Sequence, residues 1–144
     1  MKRIAFFALL SVLCLTAFAR GKQPAQFKNL PKPVQTVVKK TYTQEDVQFI
    51  TCEKTAPKHF AYQLVIADGT SLEYNDKGEL LKAKNAQGVQ EVFIPKEVNK
   101  YIKKNFPNAT VTKYEKETFR QVVSLNDALT LIFNSKGKFI RIED

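Results

Sequence analysis

Residues 30–47 read LPKPVQTVVKKTYTQEDV, and residues 94–111 read IPKEVNKYIKKNFPNATV. Pro31 and Pro95, Val34 and Val98, Lys39-Lys40 and Lys103-Lys104, Tyr42 and Phe106, and Val47 and Val111 match at one offset, 64 positions. Further along, Asp68, Leu72, Tyr74, Asn75 and Lys77-Gly78 recur as Asp127, Leu131, Phe133, Asn134 and Lys136-Gly137 at an offset of 59. The second copy is therefore shorter between its first strands and otherwise in step with the first. Self-similarity at this spacing marks one supersecondary unit used twice.

Each unit changes period along its length. Val34, Val37, Val38 and Thr41 fall at i, i+3, i+4 and i+7, the stripe of an amphipathic helix, and Val98, Tyr101, Ile102 and Asn105 repeat it. Proline suits the start of such a helix because the N–H it lacks would be unpaired there anyway. The lysine pairs lie at the helix C-termini, where the macrodipole favours cations. Beyond the helices the period becomes two, as in Tyr62, Leu64 and Ile66 against Gln63, Val65 and Ala67. Asp68-Gly69 predicts a type I′ hairpin, and Asn126-Asp127 can replace it because both residues tolerate positive φ. Gly78 and Gly137 suit the left-handed position of the next turn.

The reading is α+β: two tandem repeats of one helix plus a four-stranded antiparallel meander. The repeats join into a continuous eight-stranded sheet with both helices on one face. Its bounds are a signal peptide at 1–19, a flexible leader at 20–29, repeat 1 at 30–84, a linker at 85–93 and repeat 2 at 94–144.

Lys2-Arg3, the apolar run from Ile4 to Phe18 and Ala17-Phe18-Ala19 form an export signal cleaved after Ala19. Leu13 stands before Cys14 where a lipidated chain needs a small residue, which favours ordinary export to the periplasm or the exterior. Cleavage removes Lys2 and Arg3, taking the formal charge from +9 to +7, and leaves Cys52 as the one thiol. One thiol closes no internal disulfide, so the core must hold the fold. Residues 28–86 carry nine Lys/Arg against seven Asp/Glu, and residues 87–144 carry ten against seven. That charge is dispersed and interleaved with acids, unlike a nucleic-acid patch. No nucleic acid, and no membrane after cleavage, is expected as a partner.

Leu30-Pro31, Asp68-Gly69, Leu72-Tyr74-Gly78, Ile94-Pro95, Phe106-Pro107 and Leu131-Phe133-Gly137 together resemble the PepSY-like, β-lactamase-inhibitor-protein-like family of exported bacterial proteins. The resemblance covers residues 30–142, and Tyr42-Thr43 departs from it by lacking the proline of Phe106-Pro107. It implies a tandem helix-plus-sheet fold outside the cytoplasm. The related inhibitors grip an enzyme with the helix-free face of the sheet.

Catalytic parts are scarce. His59 has no ligand partner at metal spacing, Cys52 has no CxxC partner or histidine in catalytic register, and no Ser-His-Asp set or phosphate loop occurs. Asp76 and Glu79 flank Gly78 without the alternating acids of a calcium loop. The expectation is a non-catalytic exported binding module without cofactor or metal, an inhibitor of or accessory to another periplasmic or extracellular protein. Its binding surface should be the side of the sheet opposite the core stripe: Gln63, Val65, Glu73, Arg120, Val122 and Ile132, an apolar-centred patch with an arginine that suits another exported protein. The alternative is a small ligand or anionic polymer held by the helix lysines Lys39, Lys40, Lys103 and Lys104.

Overall fold

The structure is a computed structural model that describes residues 21–143; the signal peptide expected at 1–19 lies outside the described residues. Nine strands run in chain order across one antiparallel sheet: β1 (Gln23–Pro24), β2 (Val47–Ala56), β3 (His59–Ile66), β4 (Ser71–Asn75), β5 (Leu80–Lys84), β6 (Val111–Lys116), β7 (Arg120–Leu125), β8 (Leu129–Asn134) and β9 (Phe139–Glu143). Helix α1 (Lys32–Lys39) precedes β2, and α2 (Lys96–Asn105) precedes β6. The two meanders fuse where β5 pairs with β6, with Lys82, Ala83 and Lys84 opposite Glu115, Tyr114 and Lys113.

Nine strands replace the eight expected. The extra one is Gln23–Pro24, which pairs with Cys52 and Thr51 on β2, and a 3-10 turn at Phe27–Asn29 follows it. This part of the expected leader is thus held in the fold, because an open β2 edge offers backbone groups that a polar segment can satisfy.

Val34, Val38, Val98 and Ile102 are the buried stripes of the helices, packed on Leu64, Ile66, Leu72, Tyr74, Val123, Leu125, Leu131 and Phe133 from one side of the sheet. Thr41 and Asn105 end up exposed, just past the useful length of their stripes. Pro31 and Pro95 occupy the capping position directly before each helix, with ψ of 140° and 139°. Pro107 follows α2 and prevents its continuation.

The hairpins are more alike in role than in geometry. Only Gly69 of the Asp68-Gly69 pair has positive φ, so that turn is not type I′. Gly69 N–H donates to the Ile66 carbonyl and Thr70 N–H to Asp68 Oδ1. The carboxylate serves the local backbone, a pairing that makes a left-handed Asp68 unnecessary. In the second unit, Asn126 and Asp127 do both have positive φ, 52° and 55°. The Asn75–Gly78 and Asn134–Gly137 turns are the same in both copies. Each asparagine Oδ1 accepts from two following N–H groups, and the glycines have φ of 82° and 83°. A Cβ at Gly78 would come within 3.1 Å of Pro33, and one at Gly137 within 3.0 Å of Glu97. The turn therefore seats the hairpin on the first turn of its own helix.

Candidate binding face

The helices occupy one side of the sheet. On the other side, the strand registers line up two rows of side chains. One runs Thr51, Gln63, Glu73, Lys82, Glu115, Val122, Ile132, Arg141; the other runs Phe49, Val65, Ser71, Lys84, Lys113, Ser124, Thr130, Glu143. Period-two alternation places them there, since their neighbours Leu64, Leu72, Ala83, Tyr114, Val123 and Leu131 point into the core.

All six residues expected on this side are there, in two settings. Gln63, Val65 and Glu73 lie together on β3 and β4, half-buried. Gln63 accepts a 2.7 Å hydrogen bond from Lys22 Nζ, so the segment before β1 reaches over this end. Arg120, Val122 and Ile132 lie on β7 and β8. Arg120 is not a free anchor: its Nε donates to Glu117 at 2.6 Å, and it lies 3.6 Å from Glu143 on β9. The hydrogen bond from Arg120 holds Glu117 below the usual carboxylate range and raises the guanidinium in turn. Arg141 pairs with the same Glu143. An ion pair from β7 to β9 must span β8, and Ile132 beneath it has 0% exposure. Ile132 is thus a core residue of a small second layer rather than a contact residue.

Local sequence pattern does not bring together the middle of the face. Lys82 and Lys84 of β5 and Lys113 and Glu115 of β6 join the halves, with Glu115 2.6 Å from Lys113 and 3.8 Å from Lys82. Lys84 stands directly opposite Lys113, a like-charge cross-strand pair, and has no ion pair among the described residues. Alternation within Leu80–Lys84 and Val111–Lys116 would have placed these lysines outward. Their adjacency depends on the pairing between units. At the β2 end Phe49 is 66% exposed beside Val65.

The helix lysines do not act as one site. Lys39 lies over the Phe27 ring at 5.5 Å, and Lys103 pairs with Glu91 at 2.8 Å, lowering that carboxyl. Lys40 is exposed, and only Lys104 shares a groove with other lysines, Lys100, Lys136 and Lys138. Cys52 lies in a cleft with Pro24, Phe60 and Tyr62, where burial pushes its thiol up, away from the thiolate a nucleophile needs. Among the described residues, no three His, Cys, Asp or Glu side chains come together as metal ligands.

A family model described as "Putative beta-lactamase-inhibitor-like, PepSY-like" matches the chain twice, over residues 20–82 and 60–141. The chain belongs to the PepSY-like family. Two overlapping matches agree with the duplicated unit read from the sequence. Among solved structures, one described as a periplasmic protein of unknown function from Bacteroides vulgatus is 28% identical, with a TM-score of 0.73 over 86% of this chain and 100% of that one. A second, described as a "putative periplasmic protein" from B. vulgatus, is 24% identical, with a TM-score of 0.76 over 88% and 99%. A third, from Bacteroides thetaiotaomicron and described as a "putative calcium-regulated periplasmic protein", is 24% identical, with a TM-score of 0.74 over 85% and 97%. No curated protein matches the chain.

Proposed function

We propose that this PepSY-like chain is an exported, non-catalytic binding module that holds another exported protein against the helix-free face of its sheet. The observation that carries the reading is the centre of that face, where Lys84 and Lys113 oppose each other across the β5–β6 seam. Like charges directly opposite destabilise a sheet by a few tenths of a kcal/mol. Glu115 already neutralises part of the Lys113 charge, so the acidic group of a partner over the seam pairs chiefly with Lys84, which has no ion pair among the described residues. Val65 and Phe49 at one end supply apolar contact, and Glu73 and Glu115 give the surface a charge pattern that sets register.

The export signal at 1–19 and the periplasmic relative at 28% identity support the compartment. The family description supports a non-enzymatic role.

Capture from the source cell's exported proteins, with the mature chain as bait, tests the reading. Lys84→Glu combined with Lys113→Glu reverses the seam charge, and Lys39→Glu with Lys40→Glu is the matched change on α1. A protein retained by wild type and the α1 variant, and lost with the seam variant, supports the face. Loss with the α1 variant alone refutes it.

A further inference from the structure

The duplication lets one unit serve as a template for the other. In the first unit, Val37, Gly78, Glu79 and Leu80 form a groove between α1 and the β4–β5 hairpin, and its far wall is the chain's own Val92, Phe93, Ile94 and Pro95. Phe93 and Ile94 are buried there, with Tyr42 stacked on Phe93 at 6.1 Å. The outer edge of β5 is covered by β6. An extended strand and an apolar wall therefore narrow this groove to about 320 Å³ without closing it.

In the second unit the same positions are Tyr101, Gly137, Lys138 and Phe139, and they line a groove of about 460 Å³ with Glu97, Lys100, Lys104 and Lys136. Among the described residues no following segment lines it, and β9 is paired only with β8. Ile142 stands where Ala83 stands in the first unit; Ala83 is 0% exposed opposite Tyr114, whereas Ile142 is 45% exposed. Tyr101 and Phe139 stack at 4.6 Å as an aromatic floor.

The wider groove also differs from the narrower one in charge, at two of four lysine positions. Thr36, Lys40, Lys77 and Glu79 of the first unit correspond to Lys100, Lys104, Lys136 and Lys138 of the second. None of these four lysines has an ion pair among the described residues, and Glu97 is the one acid in the lining.

We propose that the β9 edge and this groove form a docking site for an acidic, extended segment of another protein, which adds to the sheet as β6 adds to β5 and places a large apolar side chain on Phe139 and Ile142. Strand addition supplies backbone hydrogen bonds, the aromatic floor takes the anchor, and the lysines select acidic flanks. A second copy of this chain that adds its matching segment is disfavoured by charge. The segment that corresponds to residues 85–95 is 21–31, and it brings Lys22 and Lys28 toward four lysines. This site is separate from the helix-free face, and the two succeed or fail independently.

The test is fluorescence anisotropy of the mature chain with a short labelled peptide in which Glu alternates with Val around a central Tyr. Three controls accompany it: the same peptide with Lys for Glu, the same peptide interrupted by proline, and polyglutamate. The acidic peptide should bind, the lysine peptide should not, and proline should weaken binding because it cannot donate to the new ladder. Exposed charge pairs are individually weak, so changing Lys100, Lys104, Lys136 and Lys138 together to Gln should weaken binding by about fourfold or more. Unchanged binding to the Lys84→Glu/Lys113→Glu variant would separate this site from the face. The proposal is overturned if the acidic peptide does not bind, if polyglutamate or the proline peptide binds equally well, or if the chain instead self-associates and the four-lysine variant abolishes that.

Discussion

Asn85 Nδ2 donates a 2.8 Å hydrogen bond to Thr70 Oγ1, and both residues are buried. Thr70 also meets the Tyr42 hydroxyl at 3.1 Å, and Tyr42 stacks on Phe93. The end of α1, the β3–β4 turn and the segment between the units therefore share one polar knot, which reinforces the β5–β6 seam. Thr70→Val leaves the Asn85 amide buried without that acceptor and should destabilise the whole chain by about 1–3 kcal/mol. Denaturant unfolding should show a single transition in wild type and variant alike. Two separated transitions would mean that the units fold independently.

Asp68 tests the acid side of the same knot. Partial burial works to raise its pKa, but hydrogen bonds from Tyr42 and Thr70 outweigh it and hold the carboxyl below its ordinary value. A depressed folded pKa contributes stability above the unfolded value of about 3.9, and that contribution is lost as pH falls through the folded value. Asp68→Asn keeps an acceptor and removes the titration. Its stability at pH 7 should fall by less than about 1 kcal/mol, because the site is solvent-exposed. Its loss of stability below about pH 4 should be shallower than that of wild type, as thermal melts across pH 2–7 would report.

Gly137 and Gly69 both have positive φ, yet only Gly137 is crowded. Gly69→Ala should cost about 1–2 kcal/mol, from the left-handed backbone alone. Gly137→Ala should cost more, since its Cβ also meets Glu97 at 3.0 Å. Equal melting temperatures for the two variants would contradict the seating of the hairpin on α2.

Tyr74 and Tyr114 are buried on the core side, and their hydroxyls differ. Tyr114 donates to Gln121 Oε1 at 2.8 Å, whereas the Tyr74 hydroxyl has no hydrogen-bond partner among the described residues. Burial raises the Tyr114 hydroxyl to about 12 and raises Tyr74 as well, so both remain neutral in the ordinary range. Tyr114→Phe should destabilise by about 1 kcal/mol, and Tyr74→Phe should be neutral or stabilising. Urea midpoints decide the point.

Much of this was legible in the sequence because the repeat carries the structural residues. Pro31 and Pro95, the valine stripes, Gly78 and Gly137, and the inward Leu72/Tyr74 and Leu131/Phe133 pairs report local periods and turn chemistry, which one chain segment reveals by itself. The β1 strand was not legible, because Gln23-Pro24 has no strand character and is recruited by the β2 edge. The same reason applies to the face. Gln63, Val65 and Glu73 could be placed from alternation alone. The Lys84–Lys113 opposition, the ion pair that encloses Ile132, and the difference between the two grooves arise between distant segments, and no local pattern encodes them.

Ile132→Ala gives a check on that enclosure before any binding work. Although it lies on the helix-free side, its burial predicts a loss of about 2–5 kcal/mol, well beyond that of the half-buried neighbour Val122→Ala.

The helix-free face as a protein contact is tested most directly by site-specific photocrosslinking in the exporting cell, with the photoreactive side chain at position 84 on the seam or position 36 on α1. A discrete crosslinked protein from position 84, absent from position 36, is the predicted result. A crosslink from position 36 with none from position 84 would contradict the account.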